Sequence, residues 1–372
     1  MLSLSLLLIG LEWWRSLQAG RRARGRQSHK IAIHEDAWPS VSVLVPAWAE
    51  AGIIDACLNA LAGVIYPCWE VIIIAGGPDN TYEKVDQMPK PAHFAVIRQG
   101  PGGKNAALNE GLALGTGQVI VVLDADSVVG PDWLQALVYP LMNGADATCG
   151  NYLPFRRTWV SQTEEMEKTA GCLIYRNYIL QGSGSIALWR TVLEQAGGFP
   201  ASVTTGVDWD LSVRLDKAGR TLAFAENAAV WTHRPSKLSE FWVNEVRWRH
   251  AHIRSLLNHR DWFFRNTMMA LINGKLYGLI ISLGFGLAVG MICFLSGNLP
   301  LAEKIYQALI LFLVTLAGRK AALAGQIAIY TRNYQWLWLL WAPMLLLLVS
   351  IVASWWAILT LPRHTVHFKG PR

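Results

Sequence analysis

The chain has 372 residues, 52% of them apolar, with 33 Lys and Arg against 26 Asp and Glu and a formal net charge of +7. That length closes a core easily and allows two or three folding units, while the apolar excess excludes a disordered or collagen-like chain. Five cysteines without a CxxC pair argue against a disulfide framework and a structural zinc site.

The opening run MLSLSLLLIGLEWW is apolar but interrupted by Glu12, and Arg15, Arg21, Arg22, Arg24, Arg26 and Lys30 follow it. A signal peptide carries its cations before the apolar run, so residues 1–30 read as a short membrane anchor with a basic stretch on the cytoplasmic side. The polar middle of the chain, with a domain over 31–235, is then expected in the cytoplasm.

Val41–Val45 is a short strand that Pro46 is expected to stop, and a helical pattern follows over Ile53–Ala62. Val71–Ile74 is a second buried strand, ended by Ala75-Gly76-Gly77-Pro78, and His93–Ile97 is a weaker third. Lys104–Leu114 reads as a helix and Val119–Leu123 as another continuous apolar strand. Strands alternating with helices of this length predict an α/β domain with a parallel sheet covered on both faces. Ligands of such sheets bind beyond the carboxyl ends of the strands, which singles out the polar residues after Val45, Ile74 and Leu123.

After Leu123 stand Asp124-Ala125-Asp126-Ser127. Two carboxylates so close repel unless something positive lies between them, and a divalent cation holding a diphosphate suits that need. The plainer reading is a pair of turn-forming or helix-capping acids. Before the strand, Gly100-Pro101-Gly102-Gly103-Lys104-Asn105 offers backbone N–H groups and one lysine to phosphate oxygens, or else forms an ordinary loop. It is not a P-loop, since GxxxxGK[ST] is absent. Farther on, Asp208 and Asp210 flank Trp209 at a loop-to-helix junction; one can accept a proton from an incoming hydroxyl while the other serves the helix start.

Residues 236–265 contain FWVNEVRWRHAHI, in which Arg247, Arg249, His250, His252 and Arg254 alternate with Trp242 and Trp248. This composition suits an interfacial amphipathic helix, a diphosphate contact, or both. Nucleic acid is excluded as a partner, because the cations are few and adjoin a membrane segment. Over 266–361, Leu276–Leu295 and Trp336–Leu361 are charge-free and long enough to span. Ile305–Gly318 reaches that length if Arg319 and Lys320 pair or snorkel, so three spans are expected. Three crossings would leave the basic tail 362–372 outside, against the positive-inside tendency, unless one stretch is re-entrant or interfacial or Pro343 breaks the last.

These motifs in this order, VSVLVPAWAE, GGKNAALNEGL, VIVVLDADS with GPDWL, GSGSIALWR, VDWDLSVRL and NEVRW, resemble the membrane-bound family 2 glycosyltransferases of the GT-A fold, related to the ceramide glucosyltransferase, cellulose synthase and hyaluronan synthase group. The resemblance covers roughly residues 40–255. It implies a GT-A-type, mostly parallel sheet with helices on both faces, followed by a C-terminal transmembrane helical region. It further implies an inverting hexosyl transfer from a nucleotide-sugar, a UDP-sugar favoured, with Asp208 as catalytic base. Asp126 directly and Asp124 indirectly would hold Mg²⁺ or Mn²⁺. Ala47, Glu50, Asp79, Lys104, Asp124, Arg247 and Trp248 would form the donor site, with Asn244, Gly184 and Trp209 on the acceptor side. Three departures stand out: Ile74-Ala75-Gly76-Gly77 replaces the family's Asp-Asp-Gly-Ser turn, Gly206-Val207-Asp208 replaces Thr-Glu-Asp, and Asn244 replaces the leading Gln or Arg of the last signature. A membrane lipid is the acceptor expected first, because the spans carry little polar lining for a polymer channel, and an inner-membrane, multi-pass location is expected with it. The alternatives are a polysaccharide synthase or chain-extending glycosyltransferase, and a non-catalytic nucleotide-binding subunit.

Overall fold

The structure, a computed structural model, describes residues 38–100, 102–173, 180, 184–203, 206–261 and 284–361, with residues 10, 11, 13–15, 17, 18, 20 and 21. They fall into two compact units. The sheet unit takes the described residues from Trp38 to Arg157 and from Leu180 to Arg234; the helical unit takes the others.

In the sheet unit the elements are β1 (Val41–Trp48), α1 (Ile54–Ala62), β2 (Trp69–Gly76), α2 (Thr81–Gln87), β3 (Phe94–Arg98), α3 (Gly103–Leu114), β4 (Val119–Leu123), β5 (Val128–Val129), α4 (Trp133–Met142) and β6 (Ala147–Pro154). After α5 (Trp159–Leu173), which belongs to the helical unit, come β7 (Ser185–Trp189), α6 (Arg190–Gln195), α7 (Val207–Lys217) and β8 (Leu222–Thr232). The strand order is β3-β2-β1-β4-β7-β6-β8-β5. The pairs β1–β2, β1–β4, β2–β3 and β6–β8 are parallel, and β4–β7, β6–β7 and β5–β8 antiparallel.

Successive strand residues point to opposite faces, and the sequence fills both. Val43, Val45, Val71, Ile73 and Val121 meet α1 and α4 on one face, while Leu44, Ile72, Ile74, Ile120 and Val122 meet α3 and α7 on the other. Full burial of each such side chain stabilises the fold by about 1.5–3 kcal/mol. Gly111 lets α3 sit close, since a Cβ there would lie 2.7 Å from the Ile74 Cδ1. This is a GT-A-like α/β fold with helices on both faces, as expected.

Pro46 does not stop β1, which continues to Trp48. Odd-numbered residues direct their N–H groups at β2, as in Val41 N–H to Cys68 O at 3.1 Å and Ala49 N–H to Gly76 O at 2.9 Å. Pro46 therefore faces the β4 side, where pairing has already ended at Leu44–Val122. A residue without an N–H costs no ladder bond at such an unpaired edge.

The helical unit contains α5, α8 (Leu238–Asn258), α9 (Gly284–Leu295), α10 (Leu299–Thr331), a 3₁₀ turn over Tyr334–Leu339 and α11 (Ala342–Thr360). α10 and α11 are long and apolar enough to cross a membrane. They also turn Ile310, Phe312, Val314, Leu348, Val352 and Leu359 outward, a surface that water does not favour and lipid does. α10 continues through Lys320 because its ammonium pairs with Glu167 of α5 at 2.6 Å. Pro343 occupies the first turn of α11, so the charge-free run from Trp336 divides into a 3₁₀ turn and a separate helix. Trp338, Trp341, Trp355 and Trp356 are exposed, whereas Trp336 packs into a core with Met166, Ala170 and Leu339. Of the expected span Leu276–Leu295, the part before Gly284 lies outside the described residues, as do the whole of the basic stretch 22–30 and the tail 362–372.

The candidate active site

The four parallel strands β3-β2-β1-β4 end at one edge, and the residues singled out from the sequence follow them. Ala47 is buried in β1 opposite Ala75. Ala49 adopts a left-handed φ of 57°, and a Cβ on Gly77 would lie 2.5 Å from the Ala49 backbone nitrogen, so only glycine fits the second turn. Asp79 joins these two turns. One carboxylate oxygen accepts from Ala51 N–H at 2.9 Å and the other from the Thr81 hydroxyl at 2.6 Å. Although burial raises its pKa, those donors bring it below the usual aspartate range. Glu50 is buried beside them, its backbone N–H donating to the Thr81 hydroxyl at 2.8 Å.

After β4 the chain turns at once, with Ser127 N–H donating to Asp124 O at 3.0 Å, which brings Asp124 and Asp126 to one rim. The Lys104 ammonium, in the first turn of α3, pairs with the Asp124 carboxylate. Beneath them lies the buried Cys57 thiol, 3.8 Å from Asp124 O. Its pKa is pushed far up by burial first, then by the charges of Asp126, Asp124 and Glu50. The Asp126, Asp124 and Glu50 carboxylates thus concentrate near this thiol.

That concentration fits a hard divalent cation. Among the described residues no three His, Cys, Asp or Glu side chains are close enough to form a complete cage. Two aspartates with remaining positions open to phosphate oxygens are the donor set a Mg²⁺-type ion uses with a nucleotide.

Asp208 stands in the first turn of α7. Neither Asp208 nor Asp210 caps that helix, because Gly206 does so at φ 71°. Asp210 is buried and pairs with Arg214 at 2.7 Å, which gives it the structural role and leaves Asp208 half-buried beside the half-buried Trp209. Asp208 and Asp124 both act on Tyr152, a buried residue of β6 that the sequence reading missed. The Tyr152 pKa rises through burial first, then through the Asp124, Cys149 and Asp208 charges, with Arg234 opposing. The Tyr152 hydroxyl accepts from Gly184 N–H at 3.0 Å, and Gly184 O accepts from Asp124 N–H at 3.3 Å. Of the glycine-serine motif, Gln181, Gly182 and Ser183 lie outside the described residues, whereas Ser185 accepts from the Trp133 indole at 3.1 Å. Glu50, Lys104, Asp124, Asp126 and Gly184 thus gather where β1, β4 and β7 meet, with the Asp208 charge felt at Tyr152 beside them.

The last signature lies in the helical unit, on α8. Arg247 donates to the Asn244 side-chain oxygen at 3.2 Å, and the Lys168 ammonium lies 5.3 Å from the Trp248 ring. His250 bonds the Ala357 carbonyl at 3.1 Å and the Thr360 hydroxyl at 3.0 Å, fastening α8 to α11.

The profile of the family described as "Glycosyltransferase like family 2" matches residues 39–251. The chain is 27% identical over 261 residues to the probable glycosyltransferase YdaM of Bacillus subtilis, covering 64% of this chain and 61% of that one. It is 27% identical over 262 residues to the poly-beta-1,6-N-acetyl-D-glucosamine synthase of Staphylococcus aureus, covering 65% and 61%. The chain therefore spans less than two thirds of the length of these curated relatives. Among solved structures, the mannosyltransferase PcManGT of Pyrobaculum calidifontis, in complex with GDP-Man and Mn2+, matches with a TM-score of 0.61 at 18% identity. That match covers 96% of this chain and 99% of the other, a likeness of fold.

Proposed function

This chain belongs to glycosyltransferase like family 2, and from that premise we propose that it is a metal-dependent, inverting glycosyltransferase that moves a sugar from a nucleotide-sugar to a growing glycan. The observation that carries the reading is the pairing of Lys104 with Asp124 at the turn after β4, which sets Asp126 beside them, with Asp208 acting on the same Tyr152 as Asp124.

In this reading Asp126 and Asp124 hold Mg²⁺ or Mn²⁺, which when bound offsets charge on the departing nucleoside diphosphate. Lys104 supplies a second fixed positive charge at that position. Ala47, Glu50 and Asp79 form the donor side, and Asp79 fixes the loop geometry there. Asp208 accepts the proton of the incoming hydroxyl from the side opposite the leaving group, which inverts the anomeric carbon. Trp209 and Gly184 border the acceptor. The family resemblance gives Arg247 and Trp248 to the diphosphate, with Asn244 holding the guanidinium.

Chain extension is put ahead of a membrane lipid acceptor because a named relative, the Staphylococcus aureus enzyme, is a polymer synthase. The outward apolar faces of α10 and α11 support a membrane protein in either case, and the second reading is a lipid acceptor met at that membrane by a cytoplasmic sheet unit. Radiolabelled donor separates the two: high-mass, ethanol-precipitable label supports extension, and organic-extractable label supports a lipid. The activity itself is tested by nucleoside diphosphate release from a panel of UDP- and GDP-sugars, with and without chelator. Asp208→Asn is expected to keep donor binding and lower kcat by about 10²- to 10⁴-fold. Release by the variant at the parent rate overturns the assignment.

A further inference from the structure

Strand β7 is paired with β4 up to its first residue, Ser185 opposite Leu123, but with β6 only as far as Ile186 opposite Cys149. Beyond Cys149 no β6 residue pairs with β7, and Gly184, just before β7, receives no ladder bond from that side. The other neighbour of β6 changes course at the same level. Gly150 stands opposite Ala225 and Asn151 opposite Ala229, so Glu226, Asn227 and Ala228 of β8 are extra residues at one step of β6. A bulge re-aims the side chains that follow it. Gly150 makes room for this one, since a Cβ there would lie 2.5 Å from the Ser185 hydroxyl and 2.8 Å from Ala228 O.

Tyr152 follows two residues later and takes the place of the missing ladder bond. Its buried hydroxyl accepts from Gly184 N–H at 3.0 Å. Gly184 O accepts in turn from Asp124 N–H at 3.3 Å, and a Cβ on Gly184 would fall 2.5 Å from an Asp124 carboxylate oxygen. Asp124 therefore rests against the glycine that Tyr152 holds. The Arg234 guanidinium lies 5.2 Å from the centre of the Tyr152 ring, within cation–π reach, and steadies it. Burial and then the Asp124 charge push the phenol's pKa up, in agreement with that proximity.

We propose that Tyr152 is a positioning residue for the metal: by accepting the Gly184 N–H it fixes that glycine against Asp124, and so sets where the carboxylate meets the cation. This rests on the metal-dependent reading above, and it gives Tyr152 no contact with sugar, phosphate or metal. Groups that orient a metal ligand from behind typically govern tenfold or more of the affinity.

Tyr152→Phe keeps the ring and removes the acceptor, leaving the buried Gly184 N–H without one. The test uses the full chain in detergent with UDP or GDP, whichever the parent binds more tightly. Mn²⁺ affinity is read from the paramagnetic resonance of the free ion, and nucleotide affinity in chelator by calorimetry. In the variant, Mn²⁺ binding should weaken about tenfold while nucleotide binding in chelator stays within about twofold of the parent. A variant that binds Mn²⁺ like the parent overturns the proposal. So does an equal loss with and without metal, the mark of general loosening. The parent alone supplies a second measurement that needs no variant. Adding Mn²⁺ to the nucleotide complex should slow exchange of the Gly184 amide hydrogen about fivefold or more, because the cation fixes Asp124 and Asp124 fixes Gly184. An unchanged exchange rate also overturns the proposal. A parent that binds nucleotide equally with and without Mn²⁺ removes the metal reading and this inference together; one that needs Mn²⁺, beside a phenylalanine variant equal to it, removes this inference alone.

Discussion

Gly184 sits against Asp124 with no room for even a methyl group, since the added carbon would lie 2.5 Å from a carboxylate oxygen. Gly184→Ala must therefore push that carboxylate away from Lys104 and from the rim it shares with Asp126. We expect Mn²⁺-dependent nucleotide binding, measured by calorimetry, to weaken at least tenfold while the melting temperature falls by only a few degrees. An alanine variant with parental metal-dependent binding would show that Asp124 has no part in it. At this scale the sequence was informative where residues carry chemistry in a compact motif, as in Asp124-Ala125-Asp126 and Lys104 after paired glycines. It was silent on Tyr152 and Arg234, because an isolated strand tyrosine and a loop arginine carry no local signal. Only the pairing of β6 with β8 brings them together.

Between elements, single polar side chains do much of the fastening. Glu70 of β2 accepts from Thr116 N–H at 2.6 Å, the Thr116 hydroxyl at 2.9 Å and the Ser42 hydroxyl at 2.7 Å, tying the turn after α3 to β1 and β2. Burial raises its pKa, but these donors outweigh that and hold it below the ordinary value of 4.5. A depressed carboxylate stabilises the fold fully above its unfolded pKa, and the contribution disappears as pH falls through the folded one. Glu70→Gln should therefore cost about 1 kcal/mol at neutral pH, discounted for solvent contact. Melting curves of parent and variant should converge as the pH drops below 4.5; a gap that persists there would exclude the linkage. His250→Ala should cost about 1–3 kcal/mol by leaving buried polar groups of α11 without their donor, read as a lower melting temperature in detergent. An unchanged melting temperature would mean that α8 and α11 are held by apolar packing alone. The apolar run Val119–Leu123 coincides with β4, yet the antiparallel β7 in the middle of the sheet was not foreseen. Strand direction depends on which distant segment pairs, and local pattern does not encode it.

For the molecule as a whole, the α5 segment is the instructive case. Glu164, Glu165 and Glu167 give it the composition of an ordinary soluble helix, and nothing in that pattern separates it from the domain around it. Yet Met166 and Ala170 pack with Ala324, Ile327, Leu339 and Ala342 of the C-terminal helices. Nearby, Gly20 and Gly325 mark a close approach of the N-terminal segment to α10, since a Cβ on Gly20 would lie 2.7 Å from Gln326 O and one on Gly325 3.2 Å from the Trp13 ring. Close approach of this kind suits helices in lipid, where small residues let backbones pack. Membrane fractions are therefore expected to retain the protein through a carbonate wash and release it to detergent; release by carbonate would contradict a spanning α10 and α11.

Because α5 is encoded between β6 and β7, ribosomal synthesis delivers it long before its packing partners exist. The nascent chain must carry a helix whose Met166–Ala170 face lacks its partners through the making of β7, β8 and α8, sheltered by bilayer or chaperone until α10 emerges. A fragment ending at residue 234, the obvious choice for a soluble enzyme, would keep that helix and lose everything it rests on, so clumping rather than crystals is its natural fate.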